Sequence, residues 1–120
     1  MTGPSLVDFK GDIAPEYDRP KPERLLRGNP LRTTWVHHRN GDTEYGLWAC
    51  EPGAWRIEFH AGREEFFKII EGRIRITSEA GEAREFGPGD ACVIPPGFRG
   101  SFEVLEPVRK HFIMKDGPQA

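Results

Sequence analysis

The stretch Pro52-Gly53-Ala54-Trp55-Arg56-Ile57-Glu58-Phe59-His60-Ala61-Gly62-Arg63-Glu64-Glu65-Phe66-Phe67-Lys68-Ile69-Ile70-Glu71-Gly72 decides the fold. From Trp55 to His60, large apolar side chains alternate with polar ones, the period of a strand with one face on a core. From Glu65 to Ile70 the pattern changes. Phe66 and Ile70 fall on one face, and Phe67 and Ile69 on the other. A strand apolar on both faces needs cover on both, so this segment implies a second layer beyond the chain's own core.

Outward from that stretch, short β-rich runs are expected at about 31–39, 44–51, 54–60, 65–71, 73–78, 83–86, 91–94, 99–105 and 108–114. The punctuation between them is Asn40-Gly41-Asp42, Pro52-Gly53, Ala61-Gly62, Glu71-Gly72, Ala80-Gly81-Glu82, Gly87-Pro88-Gly89-Asp90 and Pro95-Pro96-Gly97. Turn signals at this spacing read as an antiparallel sandwich or barrel. Residues 1–30 carry many prolines and few large apolar side chains, so they read as an N-terminal arm, with residues 31–120 as the β domain. Within the arm, Pro22 suits a first helical position and Gly28 the position just past a helical end.

The chain has 120 residues, 37% apolar and 30% charged, with a formal charge of −2. That length suits one domain and that balance suits a globular protein. Lys and Arg are scattered rather than striped, which excludes a nucleic-acid footprint. No apolar run approaches the roughly 18 residues of a membrane span. With two cysteines, Cys50 and Cys92, and no signal-peptide pattern at the start, the expected location is the cytoplasm. If Glu58 and His60 face inward, Trp55, Ile57 and Phe59 need cover from outside, as Phe66 and Ile70 do, so a homodimer with residues 1–40 across the interface is expected.

Two spaced motifs carry the functional reading: Gly53-x4-Glu58-x-His60-x4-Glu65-x6-Gly72, then Gly89-Asp90-x4-Pro95-x-Gly97. Together they resemble the paired signature of the cupin superfamily. With Gly46-Leu47-Trp48, Ile94-Pro95-Pro96-Gly97-Phe98 and the run from Glu103 to Lys110, the chain looks like the small cupins grouped with the cupin domain of (S)-ureidoglycine aminohydrolase. The resemblance implies an all-β jelly-roll barrel (a double-stranded β-helix) with a pocket at its mouth. It also implies a divalent ion such as Mn²⁺ held by Glu58, His60 and Glu65, in a metal-assisted hydrolysis of a nitrogen-rich acid. The set is eroded. Glu58 stands where a first histidine would be, Gly100 stands at the fourth ligand place, and Glu64 replaces the second histidine of the aminohydrolase pattern.

Four candidate site residues follow: Glu58, His60 and Glu65 as catalytic and metal-ligating groups, and Lys110 to pair an anionic group. Trp48 and Phe102 are expected near the walls, and a small polar metabolite is the expected ligand. Three other readings stay open. Glu58 and His60 could form a solvent-facing row over a buried Trp55, Ile57 and Phe59, as ordinary alternation gives. The polar groups, with Arg56, could make a metal-free structural cluster in a non-catalytic binding or dimerisation module. Or His60 could serve as the base of a metal-free isomerase or epimerase.

Overall fold

The computed structural model describes residues 3–119. The strands are β1 (Glu16–Asp18), β2 (Leu25–Arg27), β3 (Arg32–Asn40), β4 (Thr43–Cys50), β5 (Gly53–Glu58), β6 (Arg63–Ser78), β7 (Ala83–Phe86), β8 (Ala91–Ile94) and β9 (Arg99–Asp116). A 3-10 turn, Pro22–Arg24, precedes β2, with proline at its start. All pairings are antiparallel. Among the described residues no helix is long and apolar enough to cross a membrane.

Two long strands organise the molecule. β6 and β9 pair from Arg63↔Asp116 to Ser78↔Gly100, with register shifts between Ile69 and Ile74. The sequence suggested two strands in each place, broken at Gly72 and at Glu106-Pro107. The chain instead bends there without breaking. Gly72 takes φ +87°, where an added Cβ would collide with the Pro107 carbonyl, so the bend is a close backbone approach that only glycine permits. On one side of the bend the strand order is β1-β3-β4-β9-β6-β8. On the other it is β2-β5-β9-β6-β7. The two halves face each other across the core; this is the jelly-roll barrel that the resemblance implies, within the sandwich-or-barrel class that the turn spacing indicated.

The arm contributes more than a tail. β1 pairs with β3, β2 pairs with β5, and Pro30 is fully buried. Further upstream, Phe9 stacks on His37 at 4.3 Å between ring centroids and lies 5.9 Å from His111.

The interior is built from alternate positions. Phe67 and Ile69 of β6, Ile74 and Ile76 beyond the bend, and Phe102, Val104, Val108 and Phe112 of β9 all point inward. Trp55 and Phe59 belong to the same core. That corrects the expected outward placement of Trp55, Ile57 and Phe59. The strand obeys plain hydrophobic alternation, with its three large apolar side chains inside and Arg56 and Glu58 outside. Trp55 stacks on Phe102 with centroids 5.2 Å apart, burial that an outward face could not supply.

The two outer surfaces differ in kind. On the first half, Phe66, Ile70, Val93 and Ile113 are roughly a third to a half exposed, and Phe66 lies between Val93 and Ile113 in the pairing register. On the second half an ionic ladder crosses four strands. Arg27 and Arg75 both bond Glu103 at 3.1 Å, and Arg75 and Arg73 both bond Glu85 at 2.8 Å.

Candidate functional site

The barrel encloses a cavity of about 510 Å³ between the two halves. Its inner wall is Trp48, Trp55, Ile57, Phe59, Ile94, Phe102, Phe112 and Met114. Its base carries Glu65 and Lys110, and its rim carries Arg32, Arg39, Arg63, Asp18, Asp42, Glu44 and Asp116. Glu65 shares the inward parity of Phe67 and Ile69. Lys110 shares that of Val108 and Phe112, so strand period alone brings the pair to the cavity.

Lys110 Nζ donates to Glu65 Oε2 at 2.7 Å, and only 4% and 8% of the two side chains are exposed. The same ammonium lies 4.4, 4.6 and 4.9 Å from the ring centroids of Trp48, Phe67 and Phe102. Three aromatic faces and one carboxylate therefore surround it, each attractive to a cation. Glu65 Oε1 accepts no hydrogen bond from the described residues. Among the described residues no fully buried side-chain polar atom lacks a partner, so that oxygen opens to the cavity.

Glu58 and His60 lie elsewhere. Glu58 is on the outer side of β5, in a separate groove, 3.8 Å from Arg24 and 3.9 Å from Arg99. Arg56 shares that groove and donates to the Glu23 carbonyl at 3.0 Å. His60 follows the end of β5. Its Nε2 lies 2.8 Å from Asp116 Oδ1, and the Gly62 backbone N–H donates to its Nδ1 at 3.0 Å. That network assigns the proton to Nε2 and leaves neither ring nitrogen free. Arg63 binds the other Asp116 oxygen at 3.0 Å. The expected row of Glu58, His60 and Glu65 is therefore not assembled. The register that would place Glu58 inside would expel Trp55, Ile57 and Phe59 from the core, and burial of three large apolar side chains outweighs it.

The donor set does not fit a metal ion of the cupin kind. Among the described residues no three His, Cys, Asp or Glu side chains are grouped to hold one. Glu65 already bonds an ammonium. At the fourth ligand place, a Cβ on Gly100 would collide with the Thr77 carbonyl, so that backbone carries no side chain.

The cysteines stand apart from this chemistry. Burial pushes the Cys50 thiol up to about 12 and raises that of Cys92. In both, burial disfavours the thiolate, the nucleophilic form.

Sequence reasoning passed over Trp55 and Phe67 as cavity and cage residues, and Asp116 as the partner of His60. The first was legible in the alternation of residues 55–60. The other contacts depend on strand register, which the sequence does not carry.

Residues 38–112 match the model of the EutQ-like cupin domain. The chain belongs to that family. This EutQ-like cupin resembles a protein of unknown function from Pseudomonas syringae pv. tomato, with TM-score 0.78 and 20% identity over 91% of this chain. The match spans 46% of the Pseudomonas chain, so the cupin corresponds to about half of that protein. A Thermotoga maritima protein is 32% identical over 57% of this chain and 75% of its own, with TM-score 0.53. The ethanolamine utilization protein EutQ of Salmonella typhimurium superposes with TM-score 0.62 at 17% identity, covering 88% of this chain and 98% of that one. No curated protein matches the chain.

Proposed function

We propose that this EutQ-like cupin is a small-molecule-binding barrel whose ligand rests on the Glu65–Lys110 pair without a metal ion. The observation that carries the reading is the contact itself. In the cavity, the carboxylate of the first cupin motif is bonded to a lysine ammonium held among three aromatic rings. A cavity of this size, with an apolar inner wall, one ion pair at its base and a charged rim, suits a ligand of modest mass. Metal-assisted hydrolysis of the ureidoglycine aminohydrolase kind finds no support here, because Glu58 and His60 do not face the cavity. A base role for His60 finds none either, since both its ring nitrogens are engaged. The test is a melting-temperature titration of chelator-treated protein. Millimolar Mn²⁺ is expected to leave the midpoint unchanged. A metal-induced rise that His60→Ala abolishes would overturn the proposal.

The expected homodimer is proposed on narrower ground than the sequence suggested, since Trp55, Ile57 and Phe59 are already covered. Support comes from Phe66, Ile70, Val93 and Ile113 on the first outer face, and from the exposed Leu6 and Val7 of the arm whose Phe9 lies on that face. The arm also carries Asp8 and Asp12, while the face carries Lys68 and Arg109, so a second copy reached by the arm would match it in charge as well as in apolar surface. Light scattering of the wild type and of Phe66→Glu tests this. A dimer that the substitution splits is expected, and a wild-type monomer at micromolar concentration refutes it.

A further inference from the structure

The charges around the cavity narrow the chemistry of its ligand, an inference that rests on the metal-free reading above. Each arginine lining the cavity already bonds a carboxylate: Arg32 with Asp18 at 2.7 Å, Arg39 with Glu44 at 2.8 Å, and Arg63 with Asp116 at 3.0 Å. At the base, Lys110 and Glu65 neutralise each other. An anionic ligand would find no unpaired cation in the lining, and at the mouth it would meet the Asp42 carboxylate, which forms no ion pair with any of the described residues. A cationic ligand at the base would sit beside the Lys110 ammonium. In an aromatic enclosure either charge would be buried without compensation.

The hydrogen-bonding capacity left over is specific. Lys110 uses one of its three donors on Glu65. Glu65 keeps one oxygen free to accept. A donor and an acceptor thus stand side by side at the cavity base. The group that answers both at once is a carbonyl next to an N–H. The walls add a shape requirement: Trp55 and Phe102 lie 26° from parallel, and Trp48 stands at 85° to Phe102, so the space is bounded by flat aromatic faces.

We propose that the cavity takes an uncharged planar ligand carrying a carboxamide or lactam edge, with its carbonyl on Lys110 and its N–H on Glu65.

A matched series tests it: benzamide, benzoate and benzylammonium, which share a ring and differ in charge. Binding is followed by calorimetry and by the indole N–H resonances of Trp48 and Trp55, with Trp35 outside the cavity as the internal control. Benzamide is expected to shift the two cavity signals and to bind about tenfold or more tightly than either ion. The double variant Glu65→Gln/Lys110→Met, which leaves no buried charge unpaired, should weaken benzamide by about tenfold while keeping the fold. Tighter cavity binding of benzoate or benzylammonium overturns the ligand class and leaves the binding reading standing. Benzamide affinity unchanged in the double variant also overturns it. Failure of all three compounds to move the Trp48 and Trp55 signals overturns both.

Discussion

A buried ion pair and an outer ion pair in this cupin have nearly the same bond length and opposite surroundings. Lys110 meets Glu65 at 2.7 Å in the barrel, where almost nothing of either side chain reaches water. Arg75 meets Glu85 at 2.8 Å on the outer face of the second half, with more than a third of each side chain exposed. Distance alone would rank them together. Solvent separates them: water screens the outer ladder, and the unfolded chain offers its members nearly as good an environment. Inside, the ring faces of Trp48, Phe67 and Phe102 replace the lost hydration of the ammonium only because Glu65 is also present. The buried pair is therefore costly to break and not necessarily costly to replace.

The sharpest way to break this comparison is Lys110→Met. It leaves Glu65 buried without a counter-charge and should cost about 3–5 kcal/mol of unfolding free energy in a urea titration. Adding Glu65→Gln should recover most of that loss, because neutral partners of similar volume need no compensation. A loss below about 1 kcal/mol for Lys110→Met would mean that water reaches the pair and that the two pairs are alike.

Arg75→Gln cuts the ladder at its centre and should move the melting temperature only slightly. The difference from wild type should vanish in about 1 M salt, where the screening length is roughly 3 Å. A change that survives salt would mark the ladder as structural.

The smallest effect concerns acid. Hydrogen bonds from Arg75 and Arg73 hold the Glu85 carboxyl below its ordinary value of 4.5. A depressed folded value stabilises above the unfolded value and is lost as pH falls through the folded one. Wild type and Glu85→Gln should thus differ slightly above about pH 4.5 and converge in stronger acid, read as melting temperature against pH. Divergence on acidification would reverse the sign of the argument.

Turn residues made the fold legible, and they did so in detail. The expected runs 83–86 and 91–94 are β7 and β8 residue for residue. Gly72 and Pro107 misled because both also mark turns, and whether a chain turns or bends depends on what lies opposite. Here each lies opposite the other. The site was legible in one half. Glu65 fell on the inward parity of Phe67 and Ile69, but its bond to Lys110 spans 45 residues and exists only through the pairing of β6 with β9. Glu58 was misread when the motif's inward row was preferred to the alternation of Trp55, Ile57 and Phe59. An eroded ligand set no longer carries the metal-binding energy that would turn such a strand over, and the apolar residues decide its face.

β9, the final strand, is hydrogen-bonded to β4, β5 and β6 and lies inside both halves of the barrel. During synthesis, β3 to β8 emerge first with their central partner still missing. Neither half can close until Asp116 has left the ribosome, so the barrel cannot form before β9 has been made. Until then the edges of β4, β5 and β6 stay open to other chains, and a polypeptide stopped before Arg99 is left in that condition.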